Sequence, residues 1–263
     1  MRTKVSVALN NVELHSIDPA IVVRSVQEAS PTWNISTGTK AGEAGMFVNG
    51  LDKQYREVSI KFAIMERTDL NKRMRILQDV AGWAANGGDM TVSYRERQRL
   101  RVMCAQLPAI DSIRGWTDDF TILFRAYRVP FWESQDKEQV TVAATTNDYG
   151  TLMVRETGGG KLCAIGANNS GSSVTSIFIA NSASYNGITM ECTIPTGSSI
   201  VFDYDENDLQ RIRKLTGTTY TSVLQYRSAD SDDAIILNHG ANSIHVTSDK
   251  AMSWTLYTYG RWE

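Results

Sequence analysis

The chain has 263 residues, and 27 Lys and Arg against 29 Asp and Glu give it a formal net charge of −2. A composition of 42% hydrophobic and 21% charged residues excludes intrinsic disorder and predicts packed cores. The near-neutral balance excludes a protein that coats nucleic acid by bulk charge.

The first half predicts a β structure with a single helix over residues 69–86. Apolar residues recur there at helical spacing, Thr68 or Asp69 can accept the free N–H groups at the start, and Gly87-Gly88 can end the helix. Period-two alternation from Val58 to Ile64 predicts a half-buried strand before it.

Further strands are predicted over residues 90–104 and 119–128. The stretch from Ser36 to Gly50 contains four glycines and predicts a mobile loop.

The second half predicts an antiparallel β-sandwich or jelly roll, because short β-branched runs alternate there with clusters of Gly, Asn, Asp and Ser. The segment from Asp208 to Leu215 fits a strand or a helical turn. The predicted strands span residues 139–145, 151–155, 173–180, 187–194, 198–204, 219–226, 234–238, 243–248 and 252–259.

The pattern changes near Phe131-Trp132, which predicts two domains, residues 1–135 and 136–263. The charge is divided in the same place. The first part carries 18 basic and 15 acidic side chains (+3), and the second carries 9 and 14 (−5). The fold class is therefore mainly β, an N-terminal β domain with one helix followed by a β-sandwich.

Cysteine usage and the apolar pattern bear on the compartment. Cys104, Cys163 and Cys192 are widely spaced and odd in number, which predicts free thiols in a reducing compartment. The first residues lack a signal peptide's apolar stretch, and no run approaches the ~20 apolar residues that cross a bilayer. We expect a chain folded in a cytoplasm without a membrane anchor.

Catalytic motifs are missing, so we predict no enzyme activity, no catalytic residues, no cofactor and no metal. There is no Gly-x-Ser-x-Gly elbow and no His-Glu-x-x-His pair, and the glycine run before Lys161 lacks the Ser or Thr of a phosphate loop. The densest acidic cluster starts like a calcium loop but has Asp208 at its glycine position and Lys214 at its glutamate position. A solvated turn is favoured there, with an incidental calcium site as the lesser alternative. The cluster consists of Asp203, Asp205, Glu206 and Asp208.

Four arginines alternate along one predicted strand, and we name them the arginine strip: Arg95, Arg97, Arg99 and Arg101. If residues 92–103 are extended, period two places all four on one face. Such a strip fits a charged edge strand that discourages sheet pairing, or else an interface with another protein or the lining of a channel. Binding of nucleic acid is a weaker alternative, because only Tyr94 is available for base stacking.

Aromatic residues cluster near the predicted domain seam and near the C-terminus. The C-terminal group, which includes Trp254, Tyr257 and Trp262, fits either a sugar-binding platform or core packing.

The order of features along the whole chain resembles the distal tail protein (Dit) family of long-tailed, non-contractile bacteriophages. Three segments carry the resemblance. They are the aromatic and proline junction at Tyr127, Pro130, Phe131 and Trp132, the Leu-x-x-Gly-x-Asn turn at Leu237–Asn242, and the basic–aromatic ending Tyr259-Gly260-Arg261-Trp262.

The resemblance implies a virion structural protein of the phage tail tip, assembled in the host bacterial cytoplasm. It implies an N-terminal domain that forms a hexameric ring between the tail-tube protein and the tail-tip hub protein, with receptor-binding proteins as further partners and DNA only as cargo. It also implies a galectin-like C-terminal sandwich, with Tyr127, Pro130, Phe131 and Trp132 at the domain seam.

Two other functions stay open at this point. One is a carbohydrate-binding sandwich that recognises the host surface through Trp254, Tyr257 or Trp262. The other is a hydrolase that acts on cell walls or polysaccharide, although the abundance of carboxylates has no diagnostic value for it.

Overall fold

The computed structural model describes residues 5–38, 47–108, 119–184, 186–205 and 207–262, with the backbone alone for 33–38 and 47–53. The chain divides into two compact units, Met1–Trp132 with Glu263, and Glu133–Trp262. Strands dominate both, so the predicted mainly β fold is confirmed. Within the described ranges, no helix is long and apolar enough to cross a membrane.

The described part of the first unit is an antiparallel sheet with two helices. Strand β5 is central: β3, β4 and β8 all pair with it, and β7, β6, β1 and β2 follow in order beyond β8. The elements are β1 (Val7–Leu9), β2 (Val12–Glu13), α1 (Leu14–Ile17), β3 (Ile21–Glu28), β4 (Thr32–Gly38), β5 (Phe47–Ile64), α2 (Leu70–Ala85), β6 (Gly88–Val92), β7 (Gln98–Gln106) and β8 (Phe120–Ala126).

Helix α2 occupies the segment predicted as helix, shorter by one residue at each end. The Asp69 side chain caps it by accepting the Lys72 N–H at 3.1 Å, and Gly87 with φ +62° follows its end. Its Trp83 ring meets Phe124 of β8 edge to face, with centroids 6.2 Å apart. The prediction of a single helix was wrong, because the one-turn α1 precedes it.

The predicted loop over residues 36–50 was wrong at both ends. Residues at its start and finish belong to β4 and β5, where Ser36 pairs with Gly50 and Gly38 with Phe47. The remainder of that segment, 39–46, lies outside the described residues.

The second unit is built from antiparallel strands that enclose one apolar core. The segment from Asp208 to Leu215, for which a strand and a helical turn were both possible, lies largely in a strand, β15. The elements are β9 (Trp132–Val154, from Glu133 in this unit), β10 (Gly160–Lys161), β11 (Cys163–Ala167), β12 (Ile177–Asn181), β13 (Asn186–Met190), β14 (Ser199–Tyr204), β15 (Gln210–Thr216), β16 (Thr219–Ser222), a 3-10 turn (Leu224–Tyr226), β17 (Ile236–Leu237) and β18 (Gly240–Trp262).

Strand β18 organises this unit by pairing with β9, β11 and β12. Its residues Ile244–Ser248 pair with β12, which continues to β13, and its residues Ser253–Tyr257 pair with β11, which continues to β14, β15 and β16. Two predicted strands, 243–248 and 252–259, are therefore parts of one long strand. The alternate side chains of β18 from Asn242 to Ser248 and from Met252 to Gly260 are buried.

The Leu-x-x-Gly-x-Asn turn has a physical basis in one buried amide. The Asn242 side chain accepts the Asn238 N–H at 3.0 Å and donates to the Asn238 carbonyl at 2.8 Å, which closes the turn. Its oxygen also accepts the Asn181 side-chain N–H at 3.0 Å. Gly240 has φ +102°, a conformation that favours glycine.

We expect Asn242→Ala to lower the free energy of unfolding by roughly 2 kcal/mol, because it leaves the buried partners in Asn181 and Asn238 unsatisfied. Asn238→Ala is the matched control, since only the backbone of Asn238 takes part in these bonds, and it should change stability by less than about 0.5 kcal/mol. Denaturant unfolding measures both variants. Equal stability of the two would contradict this account of the turn.

Candidate functional site

The arginine strip is divided between a turn and a strand. A hairpin joins β6 to β7, and within it Arg97 has φ +58° and the Arg95 N–H donates to the Val92 carbonyl at 2.9 Å. The extended segment expected over 92–103 was therefore wrong, because the chain reverses between Val92 and Gln98. Arg95 and Arg97 lie in the turn, and only Arg99 and Arg101 lie on β7.

Arg95 joins a cluster around the Glu28 carboxylate. It donates from Nε at 2.9 Å and from Nη2 at 2.7 Å, while its guanidinium lies 4.9 Å from the centre of the Trp132 ring. The same carboxylate accepts the Tyr94 hydroxyl at 2.7 Å and the Trp132 indole N–H at 2.8 Å. The structure thus unites one strip residue, Arg95, with one predicted seam residue, Trp132, through a residue that the sequence analysis missed.

The Glu28 carboxylate keeps its charge through its hydrogen bonds, although it is largely buried. The Glu28 side chain is only 12% exposed, and Nη1 of the buried Arg56 lies 3.9 Å from it. Burial alone would raise the pKa of Glu28, but the bonds from Arg95, Tyr94 and Trp132 outweigh it and lower that pKa. Burial and the bond to Glu28 raise the pKa of Tyr94.

Arg99 and Arg101 share a carboxylate on the neighbouring strand. Asp89 of β6 lies opposite Arg101 in the register, 2.9 Å from Arg101 Nε and 3.4 Å from Arg99 Nη1. The side chains of Arg99 and Arg101 are 35% and 45% exposed, so this pair of arginines forms a half-open charged surface on the hairpin.

The remaining seam residues have separate environments within the first unit. Tyr127 is exposed and its ring lies 5.7 Å from that of Tyr55, next to Arg125, which pairs with Glu57 at 2.7 Å. Pro130 is buried and Phe131 is half-buried. Of the junction residues, Tyr127 and Trp132 therefore have contacts within the first unit.

In the second unit, a second buried ion cluster forms around Arg261. Its guanidinium donates to Asp208 at 2.6 Å and to Glu133 at 3.2 Å, and Lys161 Nζ lies 2.7 Å from Asp208. Burial opposes the charge of Arg261, but Asp208 and Glu133 raise its pKa. This cluster explains the basic residue of the Tyr-Gly-Arg-Trp ending. Its glycine, Gly260, leaves the space that the Glu156 carboxyl occupies.

The acidic cluster predicted as a solvated turn is largely engaged by cations and N–H groups. Asp203 pairs with Arg211 and Arg213, and Asp208 with Lys161 and Arg261; both carboxylates are only 17% exposed. Asp205 accepts the backbone N–H groups of Asn207 and Leu209, and its pKa is lowered by these bonds, that of Leu209 first. Glu206 lies outside the described residues. No group of potential metal ligands is found in the described ranges.

Of the C-terminal aromatic residues, Trp254 is excluded from a sugar-binding platform by its burial. Trp254 is 1% exposed and packs in the core beside Phe202, so it is unable to contact a ligand. Tyr257 is half-buried on the other face of β18, where Lys137 Nζ lies 5.1 Å from the centre of its ring, and Trp262 is half-buried at the end of the strand. Core packing explains Trp254, the alternative that the sequence analysis had left open.

The fold of this chain is similar to that of known phage proteins, although its sequence is not. No family model matches the chain, and no curated protein matches it in sequence. Among solved structures, the Dit protein of phage SPP1 is similar with a TM-score of 0.74 and 12% identity, over 99% of this chain and 100% of that one. It is described as a paradigm of the hub adsorption apparatus in phages that infect Gram-positive bacteria.

A chain of the phage P2 baseplate, in its activated conformation with Ca, is similar with a TM-score of 0.53 and 9% identity, over 99% of this chain and 98% of that one. The predicted resemblance to the distal tail protein family is confirmed in the fold.

The lowered pKa of Glu28 predicts a specific acid dependence. A carboxylate whose pKa is lower in the folded state stabilises the fold fully above its unfolded pKa, 4.5, and this contribution is lost as the pH falls through the folded pKa. Glu28→Gln should therefore lower the free energy of unfolding at neutral pH and flatten its decline below about pH 4.5.

Denaturant unfolding followed between pH 7 and pH 3 tests this prediction. Glu96→Gln, which removes an exposed carboxylate in the same turn, is the control and should keep the acid dependence of the unchanged protein. If Glu28→Gln and Glu96→Gln decline with the same slope, the Glu28 cluster does not carry the acid dependence.

We expect millimolar calcium to leave the melting temperature unchanged, because Asp203, Asp205 and Asp208 already accept bonds from cations or backbone N–H groups. Thermal melts with calcium and with a chelator measure this. A rise of several degrees with calcium alone would restore the calcium alternative.

Proposed function

We propose that this chain is a phage distal tail protein, a structural component of the tail tip without enzyme activity. The observation that carries the proposal is the match to the SPP1 Dit fold over the whole of both chains, at a TM-score of 0.74. A match that spans both units is stronger support than a match of one β-sandwich, since sandwiches serve many unrelated functions.

In this proposal the first unit forms a hexameric ring that joins the tail-tube protein to the tail-tip hub protein, and DNA passes through the ring only as cargo. The galectin-like second unit is the part that would contact the receptor-binding proteins. The protein belongs to the virion and is assembled in the host cytoplasm. Packed cores and buried ion clusters, rather than a catalytic group, are what such a subunit requires.

A ring is made of heterologous contacts, in which one surface of a subunit meets a different surface of the next. Within the strip, the exposed Arg97 and the half-open Arg99 and Arg101 are the interface candidates. Arg95 is not, because its guanidinium is bound to Glu28 inside its own unit.

The ring itself is tested on the purified full chain by negative-stain microscopy and light scattering. We expect sixfold rings with the mass of six chains. A monodisperse monomer at every concentration, in the absence and in the presence of a tail-tube protein, would contradict the proposal.

Reversing two strip charges tests the interface. Arg97→Glu with Arg99→Glu should replace the ring by smaller species in size-exclusion light scattering. The new carboxylates would be repelled by the acidic surface that the arginines are proposed to contact on the neighbouring subunit. Lys61→Glu with Arg75→Glu is the matched control: it makes the same charge change on the first unit and also breaks one ion pair, that of Lys61 with Asp119. An unchanged hexamer in the strip variant would remove the strip from the interface.

A further inference from the structure

The second unit has an open groove of about 480 Å³ on the outer face of the sheet formed by β13, β12 and the first part of β18. Its floor is made of small residues, Ala180 and Gly187, which face each other in the register. A side chain at Gly187 would overlap Ala180, so the depression depends on this glycine. The volume lies in the range of ligand-binding pockets, ~300–1,000 Å³.

One wall of the groove is aromatic. Phe178 of β12 and His245 of β18 line it, with their rings edge to face and 5.8 Å between centroids. Tyr149 stacks on the imidazole at 4.5 Å and 12°, and it is 57% exposed. The imidazole is further held by Asn147, whose side-chain oxygen lies 2.6 Å from Nε2. The wall is therefore fixed before any ligand arrives.

The opposite side of the groove is polar and acidic. Asp230 and Asp232 lie there, and Asp232 accepts the Gly187 N–H at 2.6 Å, which holds their loop along β13. Ser182, Asn186 and Thr189 also line the groove, while none of its described lining residues is Lys or Arg. An anionic ligand would thus meet carboxylates and find no basic side chain to balance it.

We propose that this groove binds a neutral saccharide unit. The apolar face of the sugar ring packs on the aromatic wall. The sugar hydroxyls donate to the carboxylates of the groove and accept from its hydroxyl and amide side chains. A few polar groups then orient the ligand on an aromatic surface, as is usual in ligand-binding sites. A quaternary ammonium group would also suit aromatic rings and carboxylates, but its methyl groups form no hydrogen bonds with Ser182, Asn186 and Thr189.

This site lies on different residues from Trp254, Tyr257 and Trp262, and it goes beyond the proposed ring function. A chain that forms the ring and binds no saccharide would overturn this inference and leave the proposed function unaffected. A chain that binds a saccharide and forms no ring would contradict the proposed function and leave this inference unaffected.

The test applies the full chain to an array of neutral, amino and acidic saccharides, and then titrates the strongest ligand against variants by ligand-observed NMR. Choline is titrated alongside as the cationic probe. We expect binding of neutral saccharides, weakened about tenfold or more by Phe178→Ala and by Asp230→Asn, in accordance with the loss of one aromatic contact or one charged hydrogen-bond partner.

Two controls match these variants. Tyr220→Ala removes an exposed aromatic residue from β16, and Asp233→Asn removes a carboxylate from the same loop outside the groove. Both should bind as the unchanged chain does. Asp230 is exposed, so Asp230→Asn keeps the test valid if Phe178→Ala fails to fold. The inference is overturned if no neutral saccharide binds, if choline binds in its place, or if the groove variants bind as tightly as the controls.

Discussion

The first unit depends on the carboxylate of Glu28, the last residue of β3. A carboxylate that is 12% exposed is stable only if its oxygens are hydrogen-bonded and its charge is balanced. Tyr94 and Arg95 from the β6–β7 turn and Trp132 from the end of the unit all donate to it. Because the turn that carries Tyr94 and Arg95 is far in sequence from both Glu28 and Trp132, this one side chain fixes both the hairpin and the last residue of the unit.

The second unit solves the corresponding problem with the opposite charge. Arg261, near the end of β18, is 12% exposed and is balanced by Glu133 from the beginning of the unit and by Asp208. Trp132 and Glu133 are consecutive residues, and each is bound by the buried ion of its own unit. Breaking a buried ion pair is strongly destabilising. The Glu28 and Arg261 clusters therefore each favour one backbone arrangement of the segments that they join.

The sequence was sufficient for the features that depend on local chemistry. The α2 helix follows from apolar spacing, the Asp69 cap and Gly87, and the mainly β character follows from period-two runs and turn residues. It was insufficient where distant residues meet. Neither Glu28 nor Arg261 stands out by composition or spacing, and their roles arise only when β3 approaches the β6–β7 turn and when β18 approaches Glu133. The Arg261 position was signalled only as part of a family-like ending, without a reason.

The arginine strip and strand β18 show where period-two alternation is a valid guide and where it is not. Alternate residues share one face only while the strand is unbroken. The arginine strip is interrupted by a turn, in which the backbone of Arg97 is in the left-handed conformation. In the long β18 strand the rule is valid, because the same alternation of buried and outward-facing residues continues on both sides of Asp249. It assigns Trp254 to the core face and His245 to the outer face. A large aromatic residue on the core face contributes packing, whereas a smaller ring on the outer face remains available to a ligand, so the groove at His245 and not Trp254 is where recognition by this unit should be sought.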